Sequence, residues 1–400
     1  MLLGVGPDGP VQGRRVVITG MGVVSCCGIG LDPFWDGLQK PAPEGEHRVL
    51  DFDPTAWFGP KEVRRVDRFA QFSVAAADMA LVDAGEIGAD PDRSGVVFAT
   101  GVGGLETLQD QIGVFHEKGP RRVSPFLIPM MMVNAGAAHV SMHAGWHGPC
   151  ETIATACAAG THAIAAAARL VSTGRCDVTL GGGAEAAMVG IGLAAFGNMT
   201  ALSNEGISRP FDARRDGFVC AEGGAALVLE DLDHARRRGA RIYAELLGAG
   251  STADAHHITA PAPGGNGAAA CMELALADAG VPPTAIGHIN AHGTSTPLND
   301  LAEAQAIEKV FGSPAPPVTS IKGVTGHALG GAGALEAVAT TLTIDRRLIP
   351  PTAGYEQPDP EIHLDVVHGQ SRSWDPAPAL SNSFGFGGHN GCLVIGPPPS

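Results

Sequence analysis

The chain alternates between short, almost wholly apolar runs and longer segments in which apolar residues recur at helical spacing. RRVVITGMGVVS, from Arg14, predicts a buried strand running into a turn. Residues 69–84 carry Ala, Met and Val broken by Asp78 and Asp83, a helix pattern that stops at Gly85. SGVVFATGVGG predicts a second strand ending in a glycine turn, and 105–133 reads as irregular. A short strand over 151–155 then meets an Ala-rich helix over 158–171, with Cys157 at the junction. CDVTLGGGAEA and EGGAALVLEDLDHARRRG predict two more strands, the second leading into a short charged helix.

From Arg241 the same kinds of element recur. RIYAELLGAGSTADAHH predicts a strand, and about 267–279 a helix. IGHINAHGTST is a strand with a polar end, LAEAQAIEKVF a helix, PPVTSIKG a strand, and LGGAGALEAVATTLTI a helix. ALSNSFGFGGHNGCLVIG closes the chain as turn, strand and glycine loop. The alternation predicts an α/β protein with a largely parallel sheet covered on both faces. It also divides the chain into a peripheral segment 1–13 and two halves, 14–240 and 241–400, with a repeated order of elements. Ligands collect at the carboxyl ends of such strands, and Cys157, His292 and the 322–327 segment all fall near predicted strand ends.

The 400 residues include 44% apolar and only 17% charged side chains, enough apolar material for a sizeable core and a hint of a subunit interface. Glycine is abundant, at 56 residues, often in clusters that allow close packing of elements or close approach to a ligand. A formal charge of −15 argues against a nucleic-acid partner. Local basic groups persist in Lys61, Arg64, Arg65 and Arg68, and in Lys118, Arg121 and Arg122. Each is a solvated face or a landing site for an acidic partner. The eight cysteines show no CxxC pair, so neither a disulfide scaffold nor a structural zinc site is supported. Cys26 and Cys27 are adjacent in an apolar run, which predicts packed thiols. Neither a signal-peptide pattern nor an apolar run of membrane-spanning length is present, and the expectation is a soluble, cytoplasmic protein with no membrane partner.

Several residues carry candidate chemistry. Cys157 is either a small buried hydrophobe or, at the first turn of a helix, a thiolate favoured by unpaired backbone N–H groups and able to carry an acyl group. His292 in NAHGTST and His327 in KGVTGHALGG could each be structural. Neutral imidazoles near the same thiol would donate hydrogen bonds to a carbonyl whose charge is growing. Lys322 and Glu303 are surface charges or a buried pair that orients His327. Asp300 and Glu303 lie on neighbouring helix faces. Phe386, in FGFGG, is core packing or a ring free to move among small neighbours. TGMGVVSCCG and ATGVGG lack the full dinucleotide-binding spacing and its acidic residue, which counts against a nicotinamide enzyme.

With these residues in view, the sequence resembles the condensing enzymes of the thiolase superfamily, specifically the beta-ketoacyl-acyl carrier protein synthases of the synthase II type. ETIATACAAGTHAI around Cys157, NAHGTSTPLND around His292, KGVTGHALGGAGALEA around Lys322 and His327, and NSFGFGGHN around Phe386 carry the resemblance, in the family's order, across about Arg14 to Ile395. It implies a thiolase-like duplicated five-layer α/β/α/β/α sandwich and a homodimer, or a heterodimer with a chain-length partner. It also implies a ping-pong reaction with acyl carrier protein as partner. Cys157 would take the acyl group, His292 and His327 would bind the malonyl thioester carbonyl and promote decarboxylation, and the N–H groups of Cys157 and Phe386 would form an oxyanion hole. Lys322 and Glu303 would organise the histidines, and Phe386 would gate access.

The resemblance further places His257, Thr259, Thr294 and Thr296 along the channel for the carrier's phosphopantetheine, the only cofactor-like group in the reaction and one borne by the substrate. It assigns Lys61, Arg64 and Arg65 to carrier docking, and Asn290, Glu336, Ser381 and Asn382 to a neighbourhood where some relatives hold Na+ or K+. SPFLIPMMMVN, with Phe126 and Met130–Met132, is expected to line or shape an acyl tunnel on the dimer side. His389 stands where many relatives have threonine, and His162 follows the nucleophile; both read as packed neighbours of the site. The implied activity is elongation of fatty acyl chains, the alternative a ketosynthase subunit of a type II polyketide synthase. A degradative thiolase and a noncatalytic partner subunit are weaker readings, because both histidines accompany Cys157.

Overall fold

The computed structural model describes residues 5–6, 9–10, 13–43 and 46–399. Most of the expected peripheral segment 1–13 lies outside the described residues. What is described of it is a short antiparallel pair, Val5–Gly6 with Gly9–Pro10.

Among the described residues eleven strands form the main sheet, ten of them in one continuous order and the short Gly28–Ile29 beside the first: β1 (Val16–Ser25), β2 (Ser94–Ala99), β3 (Cys150–Ile153), β4 (Val178–Glu185), β5 (Gly223–Asp231), β6 (Ala244–Ala253), β7 (His288–Asn290), β8 (Val318–Thr319), β9 (Ala379–Gly385) and β10 (His389–Gly396). Six helices cover it: α1 (Arg68–Ala84), α2 (Ala135–Ala144), α3 (Ala159–Ser172), α4 (Asn266–Ala279), α5 (Pro297–Phe311) and α6 (Ala332–Arg346). The strand order is β3-β2-β4-β5-β1 in one half and β8-β7-β9-β10-β6 in the other. Each half has the same sense of pairing: its three outer strands run parallel, and the last two pair antiparallel. The halves meet where β1 pairs β6, Val17 opposite Glu245. The chain thus runs β-α-β-α-β-α-β-β twice.

The sheet is therefore mixed, not largely parallel. The alternation of strand and helix was real for the first part of each half. The last two strands of each half, however, follow one another without a full crossover helix, and they pair antiparallel, as such connections permit.

Helix α1 packs on β1 and β5, and α4 packs on β6 and β10. Between the two halves of the sheet lie α3 and α6, which touch each other and both halves. The layers are helix, sheet, helix, sheet, helix. Three apolar clusters fill the gaps: one around α3 and α6 with Ile164 and Leu342, one under α1 with Phe69 and Phe72, and one under α4 with Met272 and Leu276.

The glycine clusters have a structural use at matching places. A Cβ on Gly20 or Gly22 of β1 would fall on carbonyl oxygens of α1, and one on Gly248 or Gly250 of β6 would fall on backbone of α4. Both outer helices can approach their sheets only because those strand positions lack side chains. Helix α1 begins where the Asp67 carboxylate accepts from the Phe69 N–H at 3.2 Å and ends at Gly85, φ 71°. Asp78 and Asp83, which interrupt its apolar pattern, bind Trp57 Nε1 and Tyr243 Oη from its flanks.

The stretch 105–133 is not irregular. It holds helices Leu105–Lys118 and Leu127–Met131. The first is amphipathic but contributes little to the core, Thr107 being its one buried residue, which is why its apolar signal was weak. Cys26 and Cys27 do not extend β1. They are the two central residues of a tight hairpin, in which Ser25 pairs with Gly28, and both are partly exposed. Among the described residues no helix is long and apolar enough to cross a membrane.

Candidate active site

The loops after β3, β7 and β8 converge on one point, as expected for strand carboxyl ends. Cys157 sits in a tight turn, Ala156–Ala158, between β3 and α3. Ala156 adopts φ 50°, a left-handed conformation that a residue with a Cβ takes up only under constraint. This turn lifts the thiol off the strand and aims it into the space between the halves. The Cys157 thiol and ring nitrogens of His292 and His327 all lie within 4.8 Å of one another. The two imidazoles meet edge to face, centroids 5.4 Å apart.

The N–H groups of Phe386 and of Cys157 itself act on the thiol sulfur. Phe386 reaches it because β9 ends at Gly385, where a Cβ would press on the Cys157 and Ala158 nitrogens and the Thr155 oxygen at 2.9–3.1 Å. Burial pushes the Cys157 thiol up to about 11, against the pull of these N–H groups and Lys322. Burial thus opposes the thiolate that these N–H groups favour. The thiol is protonated at neutral pH, because it is enclosed and precedes the regular helix instead of capping it. Reaction therefore requires a group that accepts its proton.

Burial first, then Lys322, holds both histidines well below the usual imidazole range, so both are neutral. The Lys322 amine reaches the His292 carbonyl at 2.7 Å, His292 Nδ1 at 3.2 Å and a Glu336 carboxylate oxygen. A lysine ammonium only donates, so Nδ1 of His292 is an acceptor and its proton lies on Nε2. That geometry makes Nε2–H a donor into the site. His327 is held through its backbone, between Val219 and Ala221, with Phe218 packed edge-on at 5.3 Å. Its Nδ1 is buried and has no hydrogen-bond partner among the described residues.

The anticipated Lys322–Glu303 pair does not form. Lys322 pairs with Glu336 on α6, and both are 1% exposed. Glu303, on α5, instead accepts from the backbone N–H groups of His292 and Gly293, each at 2.8 Å, and from Asn382 Nδ2 at 3.1 Å. Burial raises its carboxyl to about 7, and those hydrogen bonds pull it back. It fixes the His292 loop, not His327. Asp300 binds the Phe211 and Ser295 N–H groups at 2.8 and 3.2 Å, and so holds the far end of the same loop.

The side chains of the candidate cation set have hydrogen-bond partners of their own. Glu336 is committed to Lys322 and to Ser383 Oγ at 3.1 Å. Asn382 serves Glu303 and accepts from the Cys392 thiol, and Asn290 turns to Ser381 at 3.5 Å.

A cavity of about 530 Å³ opens onto the thiol, lined by Phe196, Met199, Phe218, Phe384 and Phe386 among others. Thr259, Thr294 and Thr296 line it too, the last two 3.0 Å apart. His257 is not in the lining. Its Nδ1 accepts the N–H groups of Thr259 and Ala260, each at 3.1 Å, and so shapes the loop that carries Thr259. The segment with Phe126 and Met130–Met132 does not line the cavity in the single chain; Phe126, Ile128 and Met132 are exposed on its surface.

Lys61 and Arg64 are exposed on that surface. Arg65 is exposed as well but lies 4.5 Å over the Phe126 ring. Arg68 leaves the group altogether, in a bidentate pair with buried Glu222. His162 bridges Thr155 at 2.8 Å and the Asn390 carbonyl at 3.1 Å, tying the nucleophile turn to β10. His389 rests against Gly387.

Sequence reasoning missed Glu185. It ends β4 fully buried, accepts from Gly101 N–H at 2.6 Å, Thr100 Oγ1 at 3.0 Å and Gly330 N–H at 3.2 Å, and is raised by burial to about 7. A lone carboxylate inside GGGAEAA was the available signal.

Fold and site together define an α/β enzyme of the thiolase-like condensing class, with a buried cysteine thiol faced by two neutral histidines. The chain belongs to the beta-ketoacyl synthase family. Residues 39–235 match the family's "Beta-ketoacyl synthase, N-terminal domain" and 243–356 its "Beta-ketoacyl synthase, C-terminal domain". It is 44% identical over 411 residues to 3-oxoacyl-[acyl-carrier-protein] synthase 2 of Synechocystis sp., covering 96% of this chain and 98% of that one. The corresponding protein of Staphylococcus aureus is 42% identical, with the same coverage. Among solved structures, an ishigamide ketosynthase/chain length factor chain superposes with a TM-score of 0.91 at 34% identity, covering 97% of this chain and 100% of that one. A beta-ketoacyl synthase from Burkholderia phymatum gives 0.89 at 35%, covering 96% and 100%. A type II polyketide synthase ketosynthase solved with its acyl-carrier protein gives 0.88 at 33%, covering 97% and 100%.

Proposed function

We propose that this protein performs decarboxylative condensation of an acyl group on Cys157 with malonyl-acyl carrier protein, extending fatty acyl chains by two carbons. The observation that carries the reading is the Cys157 thiol within 4.8 Å of ring nitrogens from His292 and His327, beside two N–H groups directed at the sulfur.

In the first half-reaction the Cys157 sulfur attacks the carrier thioester. Its carbon–sulfur bond forms, the carrier's breaks, and the thiol proton passes by way of a neutral histidine to the departing thiol. The N–H groups of Cys157 and Phe386 stabilise the oxyanion. In the second, the malonyl thioester carbonyl accepts from the Nε2–H of His292 and from His327. Loss of carbon dioxide leaves an enolate held by those donors. Its carbon attacks the Cys157 thioester, the carbon–sulfur bond to Cys157 breaks, and the thiolate regains a proton. Lys322 fixes the His292 tautomer, and Glu303 fixes the loop that carries it. Phe386, flanked by Gly387 and Gly388 at φ 81° and 72°, has the backbone freedom to gate the cavity. The chemistry calls for no cofactor of the chain's own.

The carrier would approach over Lys61 and Arg64, with Thr259, Thr294 and Thr296 along the phosphopantetheine channel. The exposed apolar side chains of Phe115, Phe126, Ile128, Met132 and Met142 suit burial against a second copy or a related subunit. A second reading, as ketosynthase subunit of a type II polyketide synthase, is favoured by the close superposition on such ketosynthases.

Intact-mass measurement after incubation with acyl-carrier protein, then malonyl-carrier protein, tests the proposal. The expected result is an acyl adduct on Cys157 that disappears as a 3-oxoacyl product two carbons longer forms. Cys157→Ala should abolish both steps, whereas Cys157→Gln should retain malonyl decarboxylation. Normal condensation by either variant would overturn the assignment. Repeated extension, or activity only with a related subunit present, would favour the polyketide reading.

A further inference from the structure

Away from the cavity, the hairpin Ser25–Gly28 presents two adjacent thiols. The Cys26 and Cys27 sulfurs are 4.0 Å apart and both residues are partly exposed. Cys26 lies 3.4 Å from the Thr325 carbonyl and 4.0 Å from that of Val324, in the loop that leads from Lys322 to His327. Against the same loop sits His47, 1% exposed, with neither ring nitrogen in a hydrogen bond among the described residues. A Cβ on Gly326 would lie 2.6 Å from its Nδ1, so the imidazole abuts the Thr325–Gly326 peptide from the other side. The titratable group it acts on is the Cys26 thiol. The Cys27 thiol, and then the nearby His47 ring, pulls that thiol down to about 6 despite burial, while the Cys27 thiol is pushed up by its partner. A buried imidazole with no partner among the described residues, beside two adjacent thiols on partly exposed residues, is not explained by packing alone.

We propose that Cys26, Cys27 and His47 form a thiol modification site for small soft electrophiles and peroxides, with Cys26 as the attacked sulfur and Cys27 as its resolving partner. With hydrogen peroxide, the Cys26 thiolate attacks one oxygen, the O–O bond breaks, and hydroxide leaves, giving a sulfenic acid. The Cys27 sulfur then attacks the Cys26 sulfur. An S–S bond forms, the S–O bond breaks, and water departs with the Cys27 proton. Two thiols and one peroxide give one disulfide and the products of peroxide reduction.

The site also reaches the reaction centre. His47 and His327 flank the same strip of chain: the Glu222 N–H donates to the His47 carbonyl at 3.2 Å and the Ala221 N–H to the His327 carbonyl at 3.1 Å. Drawing Cys26 toward Cys27 takes it off the Thr325 carbonyl, two residues before His327. Modification therefore lowers activity without touching Cys157.

The test treats the full chain with hydrogen peroxide, blocks free thiols by alkylation and maps each cysteine by peptide mass. The readout does not depend on the proposed condensation. The expected result is loss of two hydrogens from the peptide bearing Cys26 and Cys27 while Cys157 is still alkylated, reversed by dithiothreitol. Cys27→Ser should instead accumulate a sulfenic acid trapped by dimedone. Condensing activity should fall with the disulfide and return on reduction in the wild type, and should resist peroxide in the Cys26→Ser, Cys27→Ser double variant. Oxidation of Cys157 before Cys26, or equal peroxide sensitivity of the double variant, would overturn the proposal. Mapping on the wild type decides the matter even if that variant fails to fold.

Discussion

Replacing Glu303 by Gln separates two effects that the structure superimposes. The carboxylate accepts from three donors, two of them backbone N–H groups of the His292 loop. Glutamine keeps one acceptor oxygen and turns an NH2 toward the remaining donors. One buried N–H is left without a partner, at a cost of about 1–3 kcal/mol. Against this stands the electrostatic cost of the native charge. Burial raises the Glu303 carboxyl from 4.5 to about 7. The folded state thus holds this proton more tightly than the unfolded chain does. The stability it contributes is full below about 4.5 and is lost as pH climbs through 7. At 1.36 kcal/mol per unit that loss is about 3 kcal/mol. The neutral amide escapes it.

Glu303→Gln should therefore be destabilised by about 1–3 kcal/mol near pH 5 and be close to the wild type near pH 8. Urea unfolding of both proteins across that range measures the difference, and the subtraction removes Glu185, which titrates in the same window. Malonyl decarboxylation should fall at both ends, by about 10²–10³, because one donor to the enolate is no longer held in place. A stability gap that widens with pH would refute the reasoning, since it would mean that the donors hold the carboxyl ionised despite its burial. Wild-type decarboxylation would refute the positioning role.

Other outcomes follow from the same geometry. Alkylation of Cys157 in the free enzyme should keep accelerating, about tenfold per pH unit, until the thiol titrates near 11; a plateau near pH 8 would show a lower thiol pKa. Gly385→Ala places a Cβ 2.9 Å from the Cys157 nitrogen and should slow acylation of Cys157 more than malonyl decarboxylation, as read by single-turnover mass measurement. Reversing charge at Lys61 and Arg64 should raise KM for acyl-carrier protein and leave kcat unchanged, whereas a short pantetheine thioester substrate should show no difference.

Much of this was written locally. The Ala-rich run after Cys157, the polar end of IGHINAHGTST and the glycines around Phe386 each state a strand end, a helix start or a turn within a few residues. Hydrophobic periodicity and turn residues act over such distances, so the elements and the candidate nucleophile and histidines were legible without a structure. Pairing was not. The antiparallel return of β5 and β10 depends on which strands find each other across the half, and strand composition is blind to partner.

Charge was legible only as presence. The sequence determines that Lys322, Glu303 and Glu336 exist among apolar neighbours. That Lys322 joins Glu336 while Glu303 holds the backbone of His292 was decided by how α5 and α6 approach one loop. The state of Cys157 follows the same division. Its place before a helix comes from the local sequence and suggests a thiolate, but burial from both halves determines its protonation. That burial comes from packing between residues far apart in the chain, which only the tertiary structure brings together.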